Sequence, residues 1–502
     1  MKTIYGDTTG ALRNRQVGKN QTLSGDTTQD FLIFGDASQI TDYARGGNDV
    51  LLGFMSVSNT FYGDAYTINS HGEGGHDSLT LQKDPCFDAP QGISMLVGDA
   101  RLMSGSSLGG RDSFTISGDY RTSGTFYGDA YSMSDRARGG ADTFDAGDGS
   151  GTFYGDAHFM SGLAVGGNDQ MVGGGFSTFI NFYGDAYEMS ANARGGSDTI
   201  TLTYAGTIIG DAYIMRDNAR GGDDTITNTY FRYVDYLSGD AYKMSGNVKG
   251  GNDILSPTGN VPTYGDAKTM ADNAQGGNDT FNLGSAFYFY VYGDAETMGD
   301  RTQGGNDTIG GGQSIGTNLF GDAYTMTGRA QAGNDKIAGN QSENKLYGDA
   351  YEMNGQTRGG NDVIVAGPRK DDPNSGAGLS DTLYGDAYSM AGKARGGNDR
   401  LVASTDASDM WGDAAVMLDQ AFGGRDTFAF LGTFGDTKIH DFEQGKDRLE
   451  IDIAPGSNPF TQVTWTTVGL DTEVIVTGPA SSGHILLSGF HGPLSKGDFL
   501  FV

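Results

Sequence analysis

Aspartate recurs along this chain in pairs, and the members of each pair are thirteen residues apart. The first member follows glycine as Gly-Asp and the second closes a Gly-Gly-x-Asp turn. In FYGDAYSMSDRARGGADTF, Phe126 to Phe144, the pair is Asp129 and Asp142; in FYGDAYEMSANARGGSDTI, Phe182 to Ile200, it is Asp185 and Asp198. Fourteen such units run from about residue 31 to 428. The first aspartates are Asp36, Asp64, Asp99, Asp129, Asp156, Asp185, Asp211, Asp240, Asp266, Asp294, Asp322, Asp349, Asp386 and Asp413. The second are Asp49, Asp77, Asp112, Asp142, Asp169, Asp198, Asp224, Asp253, Asp279, Asp307, Asp335, Asp362, Asp399 and Asp426. One copy differs at Ala332, which replaces the first glycine of its turn.

Stacked at the inter-strand spacing of about 4.8 Å, each set becomes a column of carboxylates. Neighbours at that distance repel by roughly 1 kcal/mol in water and about 3 to 4 kcal/mol at an intermediate dielectric. Protons or cations must intervene. The two columns hold 28 carboxylates, close to the net charge of -30, and one divalent ion per rung would neutralise them. Calcium suits the donors, since it takes six to eight hard oxygens from carboxylates and carbonyls. One cysteine and six scattered histidines (His71, His76, His158, His440, His484, His491) provide no repeated soft or nitrogen ligand for zinc or copper. The alternative is that each aspartate caps turn amides without metal. The case for metal is stronger for the second column than for the first.

A repeat architecture must position these groups. The gap from a second aspartate to the next first one ranges from 13 to 24 residues, so one side of the unit is fixed and the other accepts insertions. The longest are Leu81–Met95 and Ala366–Asp381, whose Pro, Gly and Asp content reads as loop. The residue two past each second aspartate is always apolar, as in Phe144, Ile200 and Leu401. Alanine follows every first aspartate, and methionine usually sits four past it, as in Met133, Met160 and Met189. Gly or Asp at offset six marks a turn and argues against a helix. A period of 26 to 30 then predicts one unit per three-sided rung of a parallel β-solenoid. The expected divisions are residues 1–30 as degenerate N-terminal rungs (IYGDTTG, LSGDTTQ), 31–430 as the repeat array, and 431–502 as a small β cap.

Composition agrees. Glycine supplies 84 of 502 residues, far above the usual level of about 7%. The excess of 63 acids over 33 bases argues against nucleic acid or an anionic membrane as partner. The single Cys86 excludes an internal disulfide. No apolar leader opens the chain and no run of 18 apolar residues occurs.

The units resemble the RTX calcium-binding repeat G-G-x-G-x-D-x-U-x, matching its later half in GGNDTI and GGADTF. FGDTKIHDFEQGKDRLEID (Phe434 to Asp452) resembles the segment that closes such arrays in proteins exported by type I secretion. GHILLSGFHGPLSKGDFLFV (Gly483 to Val502) resembles their C-terminal finish. The resemblance implies a calcium-dependent β-roll that is exported unfolded and folds in external calcium.

No catalytic module is expected: the one G-x-S-x-G, GQSIG at Gly312 to Gly316, lies in an inter-unit gap. A solenoid enzyme acting on polysaccharide is the least favoured alternative. The expected role is a secreted calcium-binding structural protein, a rod that self-assembles into a surface layer, filament or matrix. The alternative is a calcium-dependent adhesin for surface polysaccharide.

Overall fold

The computed structural model describes every residue except 84–91, 119–121, 176–178, 204–205, 230–233, 369–379 and 454–457. Cys86 and most of both long insertions lie outside the described residues.

The chain is an all-β parallel solenoid of about fifteen turns. It divides into two compact units, Met1–Ile254 and Leu255–Val502. Each repeat makes one three-sided turn. In one such turn of the first unit, Ser123–Tyr127 forms the first face, Ala130–Met133 the second and Thr143–Asp145 the third. Equivalent residues of successive turns pair in register: Phe126 with Phe153, Ala130 with Ala157, and Phe144 with Met171. The second unit repeats the scheme, with Leu346 opposite Leu383, Ala350 opposite Ala387, and Ile337 opposite Ile364.

The alternation of strand side chains explains the repeated letters. On the second face Ala130 and Met133 point inward and are fully buried, while Tyr131 and Ser132 are half-exposed. Phe126, Phe153 and Phe182 stack inside the first unit with centroids 4.6 Å apart. Tyr127, Tyr154 and Tyr183 form a second ladder beside them at 5.0 Å.

The offset-six residue turns the chain. Asp135, Ala191 and Asp217 have φ of 59°, 58° and 64°, and Gly162 has 73°. This left-handed conformation favours Gly and is tolerated best by Asp and Asn among the rest, hence the Gly/Asp alternation. The variable loops leave the third face and enter the first, away from both glycine corners.

Residues 1–30 form one complete turn. Lys2–Tyr5, Ala11–Leu12 and Thr22–Ser24 pair in parallel with the three faces of the next. The two Gly-Asp echoes in this segment differ. Asp7 belongs to the rung, but Asp26 of LSGDTTQ lies in an exposed turn and accepts from Thr28 N at 2.8 Å. No Gly-Gly-x-Asp follows it to complete a repeat.

At the other end, Thr437–Ile439 and Ser481–Leu487 continue the first face, and Arg448–Ile451 and Phe499–Phe501 the third. Asp471–Thr477 then runs antiparallel to Ser481–Leu487, and Val463–Val468 antiparallel to Asp471–Thr477. The second face stops at Ala414–Met417, which pairs with Ala387–Met390 on one side only among the described residues. Met417, buried in earlier rungs as Met390 or Met353, is 39% exposed there.

Phe153 is sandwiched between two rings in a filled interior. Phe153→Ala is expected to lower stability by about 3–5 kcal/mol in urea denaturation, whereas Tyr66→Ala, at a 44% exposed position, is expected to cost under about 1 kcal/mol.

Candidate functional site

Both aspartate columns lie inside the solenoid. Asp129 and Asp156 have no exposed surface, and Asp142 and Asp169 only 1–2%. Each carboxylate spends one oxygen on a backbone amide, but the two columns do so differently. In the first column the bond stays within the turn: Asp129 Oδ1 accepts from Gly140 N at 2.7 Å. The same contact, eleven residues along, recurs from Asp36 with Gly47 to Asp413 with Gly424. In the second column the bond crosses turns: Asp112 N donates to Asp142 Oδ1 at 2.6 Å, and Asp142 N to Asp169 Oδ1 at 2.7 Å. In the second unit, Asp307 N donates to Asp335 and Asp335 N to Asp362 in the same way.

The glycines make room for these carboxylates. A Cβ on Gly139 would meet Asp129 Oδ2 at 2.5 Å and Asp156 Oδ1 closer still. A Cβ on Gly128 would collide with both Asp142 Oδ2 and Gly155 O. The Gly-Asp corner therefore packs on the second column and the Gly-Gly corner on the first. That reciprocal contact holds the interval at thirteen residues. The repeat carrying Ala332 places a methyl group where its neighbours have only Cα.

The remaining oxygen is the chemically open feature. Asp129 Oδ2, Asp156 Oδ2 and Asp185 Oδ2 in the first column are buried and accept no hydrogen bond. So are Asp112 Oδ2, Asp142 Oδ2 and Asp169 Oδ2 in the second. The second unit has the same at Asp294, Asp322, Asp335 and Asp362. Asp99 is an exception, since both its oxygens receive Gly110 N at 3.0 Å.

Burial raises these acids, most of them well above the ordinary carboxylate range and Asp185 and Asp294 by less. For Asp129 burial is the main cause, followed by the charges of Asp142 and Asp99. For Asp142 it is burial and then Asp112. Near the N-terminal end the shift is smaller. Asp36 is pushed up to about 6, mainly by burial, and Asp49 to about 7 by burial and then by Asp36.

Among the described residues, the ion pairs to the first column lie where the array begins and ends. Lys19 Nζ lies 3.3 Å from Asp7 Oδ1, and Lys446 Nζ lies 3.9 Å from Asp413 Oδ2. These ends also hold three column members that the thirteen-residue rule passed over. Asp7 Oδ2 accepts from Lys19 N at 2.8 Å in the first-column manner. Asp447 Oδ1 accepts from Asp426 N at 3.0 Å, extending the second column by one. Asp441 receives Gly412 N and Asp413 N at 2.8 and 3.0 Å. The signal for Asp447 was present in QGKDRL: glycine two before the aspartate and the buried Leu449 two after it.

Among the described residues no three His, Cys, Asp or Glu side chains converge on one point. Any cation in the columns would thus draw on pairs of aspartates from neighbouring turns together with backbone carbonyls such as Gly155 O. The donors fit a hard divalent ion: all are oxygens, carboxylate oxygens are unpartnered in successive turns, and glycine carbonyls lie against them. Ser314, of the G-x-S-x-G sequence, sits in a corner loop and receives Asn340 Nδ2 at 2.5 Å. No protein-family model matches the chain, and no curated protein matches it.

A carboxyl raised in the folded state adds stability that is complete below its unfolded pKa, about 3.9, and is lost as pH rises through the folded value. With chelator present, the melting temperature is therefore expected to fall from pH 4 upward, with the contributions of Asp36 and Asp49 fully lost once they ionise near 6 to 7. A flat profile over pH 4–8 in chelator would refute interior acids without counter-ions.

Proposed function

We propose that this chain is a calcium-binding structural solenoid, secreted unfolded, folded by external calcium and assembled with copies of itself into a surface layer, filament or matrix. The observation that carries the calcium reading is the succession of buried aspartate oxygens without a hydrogen-bond donor, such as those of Asp129, Asp142 and Asp156, while the ion pairs seen among the described residues lie at the ends of the array. Isolated ionised carboxylates are not tolerated at such burial. At neutral pH either each acid holds its proton against a raised pKa or a cation takes the proton's place. Calcium bound among Asp129, Asp142 and their counterparts would supply positive charge and stitch neighbouring turns.

Such an ion binds the folded state and has no preformed site in the unfolded chain, so binding energy becomes folding energy. At a free concentration a hundred times its dissociation constant, each ion adds about 2.7 kcal/mol. Over many turns this switches the whole array. Low calcium inside a cell keeps the chain export-competent, and high calcium outside drives it to the folded form. The resemblance to RTX repeats and to the closing segments of type I substrates supports the same sequence of events.

Self-assembly is supported by open sheet edges. Ala414–Met417 ends the second face without a further strand among the described residues, and Met417, Leu418 and Phe422 beside it are 39%, 53% and 50% exposed. Unpaired edges of this kind template pairing with another chain. In the first unit, the N-terminal strand Ala11–Leu12 likewise pairs on one side only among the described residues.

Calcium titration at pH 7 is the test, followed by far-ultraviolet circular dichroism and electron microscopy. Chelated protein is expected to lack β signal and to gain it cooperatively with calcium, and ordered assemblies are expected only in the calcium form. An unchanged spectrum and melting point after chelation would sink the calcium reading. Monodisperse particles in both forms would sink assembly alone.

A further inference from the structure

With the 28 column acids inside, 35 acidic residues remain against 33 basic ones. The outer surface is close to neutral, and the repulsive field implied by a net charge of -30 is mostly an interior property. An anionic partner is therefore compatible with the outside of this protein wherever the positive charges are grouped.

Their longest in-register run lies in the first unit, with a shorter one, Arg358 and Arg395, in the second. The position nine residues after each first aspartate bridges in register from turn to turn, through Arg194, Arg220 and Lys249. All three are exposed, and none forms an ion pair among the described residues. Arg138 holds the same position two turns earlier, with Val165 between. Like charges at one register position, about 4.8 Å apart, gain nothing from one another. The fold does not require them: the same position holds Leu108 and Val165 in this unit and, in the other, Gln275, Gln303, Gln331 and Phe422 beside Arg358 and Arg395. Asp223, close by in sequence, is engaged by the backbone and side-chain amides of Asn252 at 2.8 and 3.0 Å. The backbone on either side of the cations is small or apolar: Ala193 and Gly195, Ala219 and Gly221, Val248.

We propose that Arg194, Arg220 and Lys249 form a binding stripe for a linear acidic polysaccharide that lies along the solenoid axis. A uronic acid polymer carries one carboxylate per sugar ring, at a spacing comparable to one turn. Arginine can grip each carboxylate with two parallel N–H bonds. Single-stranded nucleic acid is the poorer match, since surfaces that bind it interleave aromatic platforms with the cations, and the in-register row itself holds no aromatic residue in these turns. The inference is independent of the calcium reading, because it uses neither aspartate column.

Isothermal titration with a galacturonic acid hexamer, at one fixed free calcium concentration and low salt, tests this. The wild-type chain is expected to bind the hexamer, to release it as salt rises, and to ignore a neutral dextran oligomer. The triple variant Arg194→Gln, Arg220→Gln, Lys249→Gln uses the residue found natively at this position in three other turns. It is expected to keep its circular dichroism spectrum and bind at least about tenfold more weakly, a loss of about 1.4 kcal/mol. Lys243→Gln, which removes an exposed charge from another face of the same turn, is expected to leave binding unchanged. The proposal is overturned by hexamer binding that survives the triple substitution, as calcium bridging elsewhere would give. It is equally overturned by no wild-type binding, by an equal loss in Lys243→Gln, or by an oligodeoxynucleotide binding as tightly as the hexamer.

Discussion

Two files of carboxylic acids run through the interior of this protein, and in most turns the acid has only one of its oxygens satisfied by the backbone. Everything else in the repeat is arranged around that constraint. The glycine before the first aspartate has no Cβ because the second-column carboxylate occupies the space, and the first glycine of the Gly-Gly turn gives way to first-column carboxylates in the same manner. The first column closes each turn on itself through the amide eleven residues on, while the second ties each turn to the next. Apolar burial is provided separately by the stacked phenylalanines and the alanine and methionine rows. The solenoid thus has an apolar core lying beside an acidic seam, and only the seam depends on what neutralises it.

This division bears on how the chain would behave with and without ions. A typical turn buries a short set of apolar side chains, such as Phe126, Tyr127, Ala130, Met133, Ala137 and Phe144, and packs them mainly against its neighbours, so stability is a sum of turn-to-turn terms. Opposing those terms is the cost of ionising acids whose pKa burial has raised. Cations bound in the columns would remove that cost at each interface they occupy, so their effect would grow with the number of turns. Lys19 and Lys446 perform the service at the ends, where a side chain can reach in from outside.

Much of this was legible in the sequence. The fixed thirteen, the variable gap, the invariant alanine and the turn at offset six together specify a three-sided parallel rung, and the observed register reproduces it. What the letters did not reveal was direction. An aspartate in a glycine-rich turn has equal claim to face solvent or interior, and the inward choice is set by amides of residues eleven along or one turn away. The same gap hid Asp447, whose local pattern fits the repeat but whose spacing of 21 from Asp426 does not, and Asp441, which pairs with amides and belongs to no periodic pattern. It also made the net charge misleading: counting acids does not show that nearly half of them leave the surface.

The central claim is that divalent ions lie along the aspartate columns. Anomalous scattering from crystals grown in calcium, recorded at a wavelength where calcium contributes and sulfur contributes less, locates such ions without reference to activity or stability. The account predicts a file of peaks, repeating turn by turn, beside the open oxygens of Asp129, Asp156 and Asp185 or of Asp112, Asp142 and Asp169. A well-ordered map with no anomalous density along either column would contradict it.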